Sequence, residues 1–425
     1  MNLTAIISSG FFFQLGEFFD VISVIWVFVL PFAFYYLFML LWMDYVNDRY
    51  AGKMSFILLE ITPPQNIEKS PQPMEALYSG MAGAYKTPNV FEQYLDGFFV
   101  DSFSLEFVGS GGKGVHFYIR TPKQFQHLVE AHLYAQYPEV EILEVEDYIH
   151  EVPPVIPNDE WDIWGSDFEL TEPDPMPIKT YRHFEEDVTG KMIDPLAGLI
   201  EIMGQLTPEQ HLWLQYIITP VSEGWSKEGR QYVQERAGRV TKKPGFWDKF
   251  IKDFFDVIKA IVSGIFSPPQ FSTSEEKKDA QPLEDRLTPM EKRILEALEG
   301  NVGKNVFQVK MRMVYVGKKI GFDKATFVSG LMGGIKQFSD MNYNGLRPED
   351  ASKTYANYIM KTSRLNYRQR KIFNRYRDRD PSGKRFIFST EELATVFHLP
   401  DMAVISPFFR RVSAKRGSAP INLPF

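Results

Sequence analysis

Residues 21–43 (VISVIWVFVLPFAFYYLFMLLWM) form an uncharged, apolar stretch of 23 residues bounded by Asp20 and Asp44. A helix of this length covers the roughly 30 Å hydrocarbon core of a bilayer, because each residue adds about 1.5 Å. Pro31 is compatible with such a span, since the backbone carbonyl that it frees can be satisfied locally in a membrane. We therefore predict a transmembrane helix at 21–43, preceded by an extracytoplasmic tail at 1–20.

The charges that flank this stretch predict its orientation. Residues 1–20 contain no Lys or Arg, whereas Arg49 and Lys53 follow the span. The positive-inside rule then places the C-terminal part of the chain in the cytoplasm. A cleaved signal peptide is disfavoured, because no basic region precedes the apolar stretch. We predict a single-pass protein of the cytoplasmic (inner) membrane with the bulk of the chain in the cytoplasm.

Strand-like alternation and helical periodicity follow one another between residues 54 and 148. They predict a strand, a helix, two strands that form a hairpin, a helix and a last strand, at 54–62, 70–85, 102–108, 115–120, 121–136 and 139–147. This βαββαβ order is that of the ferredoxin-like unit. The predicted fold class is therefore α+β, with an N-terminal transmembrane helix, a ferredoxin-like domain at 54–148 and further α/β cytoplasmic domains.

The remainder of the chain divides at changes of composition. We predict a second α/β segment, an amphipathic helix, a linker, a third α/β to helical segment and a C-terminal tail, at 160–240, 245–266, 267–286, 287–400 and 401–425. Capping-box patterns occur at Thr121, Thr207, Thr288 and Ser389. The tripeptide Leu-Thr-Pro occurs at 206–208 and again at 287–289, which hints at two related halves.

The amphipathic stretch 245–266 is a candidate membrane-surface element. Its apolar face includes the candidate contact residues Trp247, Phe250, Phe254, Phe255 and Ile258. Linker-like sequence on both sides leaves this face without an obvious domain core, which favours a position on the bilayer surface. Its Lys and Asp residues balance, however, so docking on protein is the alternative interpretation.

Charge is segregated along the chain, although the formal net charge is only −7. Residues 139–187 are strongly acidic, whereas the part from Lys361 onward is basic. This asymmetry indicates surfaces with different partners. The chain has no cysteine, which excludes disulfides, thiol nucleophiles and cysteine metal sites.

The motifs of common enzyme classes do not occur in the sequence. No Gly-Lys pair is followed by Ser or Thr, so there is no Walker A loop, and the glycine-rich run 109–114 joins two predicted strands. The seven histidines show no metal-ligand spacing, and no G-x-S-x-G elbow is found. We predict no enzyme activity, no cofactor and no metal.

A basic stretch at 361–379 is the candidate contact for nucleic acid or for another partner. Its cations alternate with Tyr367, Phe373 and Tyr376, which could stack on bases. The same cations could instead bind the acidic region 139–187 or anionic lipid. The candidate contact residues are Arg364, Arg368, Arg370, Lys371, Arg375, Arg377 and Arg379.

Several segments resemble the N-terminal, membrane-proximal region of bacterial conjugative-transfer, type IV secretion-like ATPases. They are LLEITPPQNIEKSPQPMEALYSGMAGAY (58–85), DPLAGLIEIMGQLTPEQHLWLQYIITPVSEGW (194–225), STEELATVFHLPD (389–401) and SAKRGSAPINLP (413–424). In those relatives such a region leads into a P-loop motor domain, which this sequence lacks.

The resemblance implies a membrane-anchored, non-catalytic assembly or scaffold component of a type IV secretion-like or conjugative DNA-transfer apparatus. Such a component would act as an oligomer in an assembly, beside a separate P-loop ATPase. The alternative is a membrane-tethered protein that binds nucleic acid through 361–379.

Overall fold

The computed structural model describes residues 29–64, 70–184, 194–222, 224–237, 287–401 and 411. These residues divide into two units. The first unit holds the described residues up to Ser55 together with Lys86–Val100, and the second holds Phe56–Tyr85 and the chain from Asp101 onward. The predicted tail 1–20, amphipathic helix 245–266 and linker 267–286 lie outside the described residues.

The first unit is built on helix α1 (Val29–Ala51), which is long and apolar enough to cross a membrane. Its most apolar window has a mean hydropathy of 1.5, and 6% of that window is buried. The helix overlaps the predicted span at 21–43 and continues past Met43 to Ala51. Residues 21–28 are outside the described part of the chain.

The second unit is organised by an antiparallel sheet of nine described strands. The strands are β1 (Phe56–Thr62), β2 (Phe103–Ser110), β3 (Gly114–Pro122), β4 (Glu141–Val145), β5 (Trp161–Leu170), β6 (Gln210–Pro220), β7 (Val306–Lys318), β8 (Leu346–Pro348) and β9 (Phe386–Ser389). The sheet order is β4-β1-β3-β2-β6-β7-β5-β8, and β9 pairs with β7.

Eight described helices accompany the strands of this unit. They are α2 (Gln72–Ala82), α3 (Gln126–Gln136), α4 (Ala197–Gly204), α5 (Trp225–Arg236), α6 (Pro289–Val302), α7 (Lys324–Lys336), α8 (Lys361–Arg377) and α9 (Thr390–Val396). The fold class is therefore α+β with one apolar N-terminal helix, as the sequence predicted at this level.

The sheet repeats one arrangement twice. The chain runs β1-α2-β2-β3-α3-β4 in the first half, with spatial order β4-β1-β3-β2. The core elements of the second half run β5-α4-β6, then β7-α7-β8, with spatial order β8-β5-β7-β6. The two halves meet where β2 pairs with β6, from Phe103 opposite Ile218 to Ser110 opposite His211. Strands of all three predicted segments, 54–148, 160–240 and 287–400, thus join one sheet.

The two faces of the sheet are covered differently. On one face, alternate strand residues such as Leu105 and Leu214 pack against α2, α3, α4, α7 and α9 in the main hydrophobic core. On the opposite face, Trp213 and Val314 pack under helix α8. Helices α5 and α6 are inserted between β6 and β7 and share a smaller core of their own.

The sequence predictions of local elements are confirmed in most cases, with one clear exception. In the predicted α/β to helical segment 287–400, the part after β8 is not helical along its whole length, and the described helix is confined to Lys361–Arg377. Pro348 ends the short strand β8, and residues 349–360 form turns and irregular structure. The Leu-Thr-Pro repeats do not mark the two halves, because 206–208 precedes a strand and 287–289 opens a helix.

A close approach at the hairpin between β2 and β3 gives a stability prediction. The Gly111 N–H donates to the Gln210 carbonyl at 2.9 Å, and a Cβ on Gly111 would lie 1.7 Å from the Thr207 carbonyl oxygen. We expect Gly111→Ala to lower the free energy of unfolding by roughly 2–3 kcal/mol, because backbone has to move. Thermal melts of the full chain in detergent would measure this.

The matched control is Gly198→Ala. Gly198 lies in α4 with no atom within 4 Å of its added Cβ, so the change is expected to be neutral or stabilising by up to about 1 kcal/mol. Equal melting of Gly111→Ala and the unchanged protein would contradict the contact between the hairpin and the turn at Thr207.

Candidate interaction surface

Helix α8 divides into a buried and an exposed face. Ile372, Phe373 and Tyr376 pack on the sheet, and the Gln369 side chain donates to the Ile163 carbonyl at 2.7 Å. The segment 351–377 contains no Asp or Glu. The helix is therefore fixed by its apolar side and presents cations on the other.

Four of the seven candidate contact residues are partly or fully buried and bind groups within the protein. Arg368 donates to the carbonyls of Lys353 and Tyr355, at 3.0 and 2.6 Å. The three others have partners as follows: Arg375 pairs with Asp380 at 3.4 Å, Arg377 with Asp378 at 2.9 Å, and Arg379 is buried against Glu106 and Asp147. Their contribution to an external contact is reduced accordingly.

The other three candidates, Arg364, Arg370 and Lys371, are exposed on α8. Arg364 also donates to the Asn357 carbonyl at 3.1 Å, which leaves most of its guanidinium free to bind a ligand. Tyr367, on the same helix, is 65% exposed. We name Arg364, Tyr367, Arg370 and Lys371 the basic surface. Its exposed cations and aromatic ring suit an acidic protein or a phosphate.

The interior beneath α8 holds a buried charge cluster around Glu106. The Glu106 carboxylate accepts from Arg379 Nε at 3.1 Å and from the Tyr148 hydroxyl at 2.7 Å. It also accepts from Ser104 at 2.6 Å and from Gln215 at 3.1 Å. These partners come from β2, β6, the turn after β4 and the end of α8, so the cluster connects the two halves of the sheet.

The ionisation of Glu106 is strongly perturbed. Burial alone would raise its pKa, but the charge of Arg379 and the hydrogen bonds from Arg379, Ser104 and Tyr148 outweigh burial and lower the pKa to about 2. Burial, reinforced by the Glu106 charge, raises the pKa of the Tyr148 hydroxyl well above its usual value. The carboxylate therefore stays charged and the phenol neutral at physiological pH, which is the arrangement of a structural ion pair.

A second buried cluster is centred on Asp167 of β5. Its two carboxylate oxygens face Arg312 Nε at 2.6 Å and Lys310 Nζ at 2.7 Å, and all three side chains are fully buried. Arg312 also donates to the Arg375 carbonyl at 2.6 Å, and Lys310 to the Lys384 carbonyl at 2.9 Å. The charges are satisfied inside the fold and do not line an open cleft.

A third polar cluster lies where α2, α6 and α9 meet the loop after β5. Lys304 contacts Glu75 at 3.3 Å and also Glu391, while Arg182 contacts Glu391 at 3.4 Å. A neighbouring cavity of about 540 Å³ is lined in part by Arg182, Arg293 and Glu391. Because two cations and two carboxylates neutralise one another here, the cluster has no net charge to recruit an ionic ligand. Sequence reasoning missed it, since its members are far apart in the chain.

His211 is a buried histidine with a perturbed pKa. Burial lowers the pKa of His211 to about 4, and its Nδ1 lies 3.1 Å from the Ser110 hydroxyl oxygen. Its ring stacks on that of Trp161 and lies at a tilt against that of Trp213. Within the described residues, no group of three His, Asp or Glu side chains could hold a metal ion. The predicted membrane-surface residues Trp247, Phe250, Phe254, Phe255 and Ile258 lie outside the described residues.

Comparison with known proteins identifies the family of the chain. No curated protein matches the chain in sequence. The family model described as a domain of unknown function, DUF8128, matches residues 99–407, which is more than half of the chain. The match begins just before β2 and covers the remaining strands of the sheet, the buried clusters and the basic surface. The chain therefore belongs to the DUF8128 family.

Proposed function

We propose that this protein is a membrane-anchored, non-catalytic assembly component of a type IV secretion-like or conjugative DNA-transfer apparatus. Helix α1 inserts in the inner membrane, and the sheet unit lies in the cytoplasm. The observation that carries the proposal is the apolar helix Val29–Ala51, with 6% of its most apolar window buried. A helix with so little protein cover needs lipid around it.

The sheet unit serves as a rigid platform in this proposal. We infer that it is a tandem of two ferredoxin-like units joined edge to edge, since each half has the βαββαβ order and antiparallel pairing of that unit. The junction between β2 and β6 lengthens the sheet, and the buried clusters around Glu106 and Asp167 hold α8 on it. The rigidity keeps the basic surface in a fixed position for a partner.

The partner in the proposal is a separate P-loop ATPase, in an assembly that contains several copies of this chain. The resemblance of segments such as 58–85 and 194–225 to the membrane-proximal region of secretion ATPases supports this choice. Nucleic acid stays the alternative partner of the basic surface, and its binding would show a steep dependence on salt.

A detergent-extracted pull-down with the full chain tests the proposal. We expect it to recover a P-loop ATPase, and we expect reversal of Arg364, Arg370 and Lys371 to Glu to lower recovery about tenfold, since like charges then oppose the partner. Reversal of three other exposed cations, Lys227, Lys292 and Lys319, is the matched control. Recovery of housekeeping proteins alone, or equal effects of the two triple variants, would reject the proposal.

A further inference from the structure

The segment between α2 and β2 belongs with the apolar helix and not with the sheet. Trp42 Nε1 of α1 donates to the Tyr94 carbonyl at 2.7 Å. Farther along the helix, the Tyr50 ring meets the rings of Phe98 and Phe99 edge-on, with centroids 5.4 and 5.3 Å apart. Trp42 and Tyr50, about two turns apart on α1, thus contact the segment at two places along its length.

The backbone of the segment is built for this contact. Gly97 has a φ of 71°, and a Cβ there would lie 2.1 Å from the Val46 carbonyl oxygen of α1. Only glycine combines that backbone conformation with so close an approach. Glu92 accepts from the Asn89 N–H at 3.0 Å and pairs with Lys86 at 2.7 Å, which closes the turn at the start of the segment. We name residues 89–99 the interfacial segment.

This segment exposes large apolar side chains although it is well ordered by hydrogen bonds. Val90 is 69% exposed, Phe91 70% and Leu95 56%, and Tyr94 and Phe99 are also exposed. A cluster of this kind on a soluble surface marks a contact with a membrane or a partner. The question is which of the two covers it.

The position of the segment along α1 answers that question. Asp44, Asp48 and Arg49 are exposed on α1, so the helix leaves the hydrocarbon in this region. Trp42 and Tyr50, which hold the segment, flank those charges, and Trp and Tyr favour the level of the lipid headgroups. The segment is therefore continuous with the part of α1 that crosses the membrane surface.

We propose that the interfacial segment inserts Val90, Phe91 and Leu95 into the headgroup and upper acyl region of the leaflet from which α1 emerges. The occupant of this surface is the lipid bilayer. The segment adds an in-plane contact beside the span, which restrains the rotation and tilt of α1. This inference rests on the proposed membrane anchoring of α1.

The absence of cysteine makes the test direct, because a single introduced cysteine is labelled uniquely. Full-length Phe91→Cys and Leu95→Cys proteins are labelled with the environment-sensitive fluorophore NBD in nanodiscs that contain phosphatidylglycerol. We expect lipids spin-labelled near the headgroup to quench roughly half of the emission at both positions, since an interfacial side chain lies at that depth. Ile320→Cys, 97% exposed in the sheet unit, is the apolar control and should keep its emission.

The variant Tyr36→Cys carries the label within α1 and tests the membrane anchoring of α1 separately from the interfacial segment. Quenching at 36 by deep spin labels without quenching at 91 and 95 would overturn the interfacial segment and leave the anchor intact. No quenching at any of the three positions would overturn both. Blue-shifted emission at 91 and 95 that spin-labelled lipid does not quench would place protein there, and it would also overturn the inference.

Discussion

Replacement of Arg379 by methionine is expected to lower the free energy of unfolding by about 3–5 kcal/mol, because it leaves a buried carboxylate without its counter-charge. Arg379 is held by Glu106 and Asp147 with its side chain almost fully buried. Its backbone has a φ of 50°, a conformation that non-glycine residues adopt only when their surroundings impose it. Chemical or thermal unfolding of the full chain in detergent measures the loss.

Arg370→Met is the matched control for this variant. The sequence predicts the same contact role for Arg370 and Arg379. Arg379 is buried, whereas Arg370 is exposed on α8. Its replacement is expected to change stability by less than about 0.5 kcal/mol. Equal destabilisation by the two variants would show that the buried pair with Glu106 does not form.

The pair of Arg379 and Glu106 also makes the free energy of unfolding depend on pH. Since the pKa of Glu106 is lowered from 4.5 to about 2, its contribution is fully present above pH 4.5 and is lost as the pH falls toward 2. The shift corresponds to about 3 kcal/mol. In Arg379→Met the buried carboxylate gains stability on protonation, so the gap between the two proteins narrows as pH falls. The pKa of His211 is lowered from 6.5 to about 4, so the free energy of unfolding also falls as the pH drops from 6.5 to 4. This loss is the same in both proteins and cancels in the difference between them.

Replacement of Asp167 by asparagine is the second change with a large expected effect. The substitution leaves Arg312 buried without its carboxylate and leaves Lys310 with only the more distant Glu349, at 3.8 Å, and we expect a loss of about 3–5 kcal/mol or failure to fold. The double variant Asp167→Asn with Lys310→Met should recover part of the loss, because it removes one of the two cations that Asp167 pairs with. Asp350→Asn, at an exposed position, is the control and should melt like the unchanged protein. A double variant no more stable than Asp167→Asn would contradict the pairing.

Local features of the fold were predictable because they depend on neighbouring residues. The capping boxes that begin at Thr288 and Ser389, each with a glutamate three residues later, are both formed. The patterns at Thr121 and Thr207 have glutamine in that place, and neither caps a helix. At Thr207 the Gln210 side chain does accept from the Thr207 N–H at 3.0 Å, but strand β6 begins at Gln210, so this local pattern alone does not decide that a helix follows.

The joining of the strands into one sheet could not be read from the sequence. The β2–β6 ladder pairs residues more than 100 positions apart, such as Phe107 with Leu214, and alternation within each strand does not identify the neighbour. The same limit applies to the basic stretch. Arg379 has Asp378 and Asp380 as sequence neighbours, but its burial could not be read from them, because its buried carboxylate partner Glu106 is 273 positions away.

The helical pair inserted between β6 and β7 has a consequence for the stretch between its helices. Ala237, just after α5, and Leu287, just before α6, line the same cavity of about 300 Å³. The end of α5 and the start of α6 are therefore neighbours in space, and the entropic cost of closing a loop between two such points grows only slowly with the length of the loop. An insertion between Ala237 and Leu287 can thus be lengthened, shortened or replaced by a foreign domain with adjacent termini while strands β6 and β7 keep their pairing.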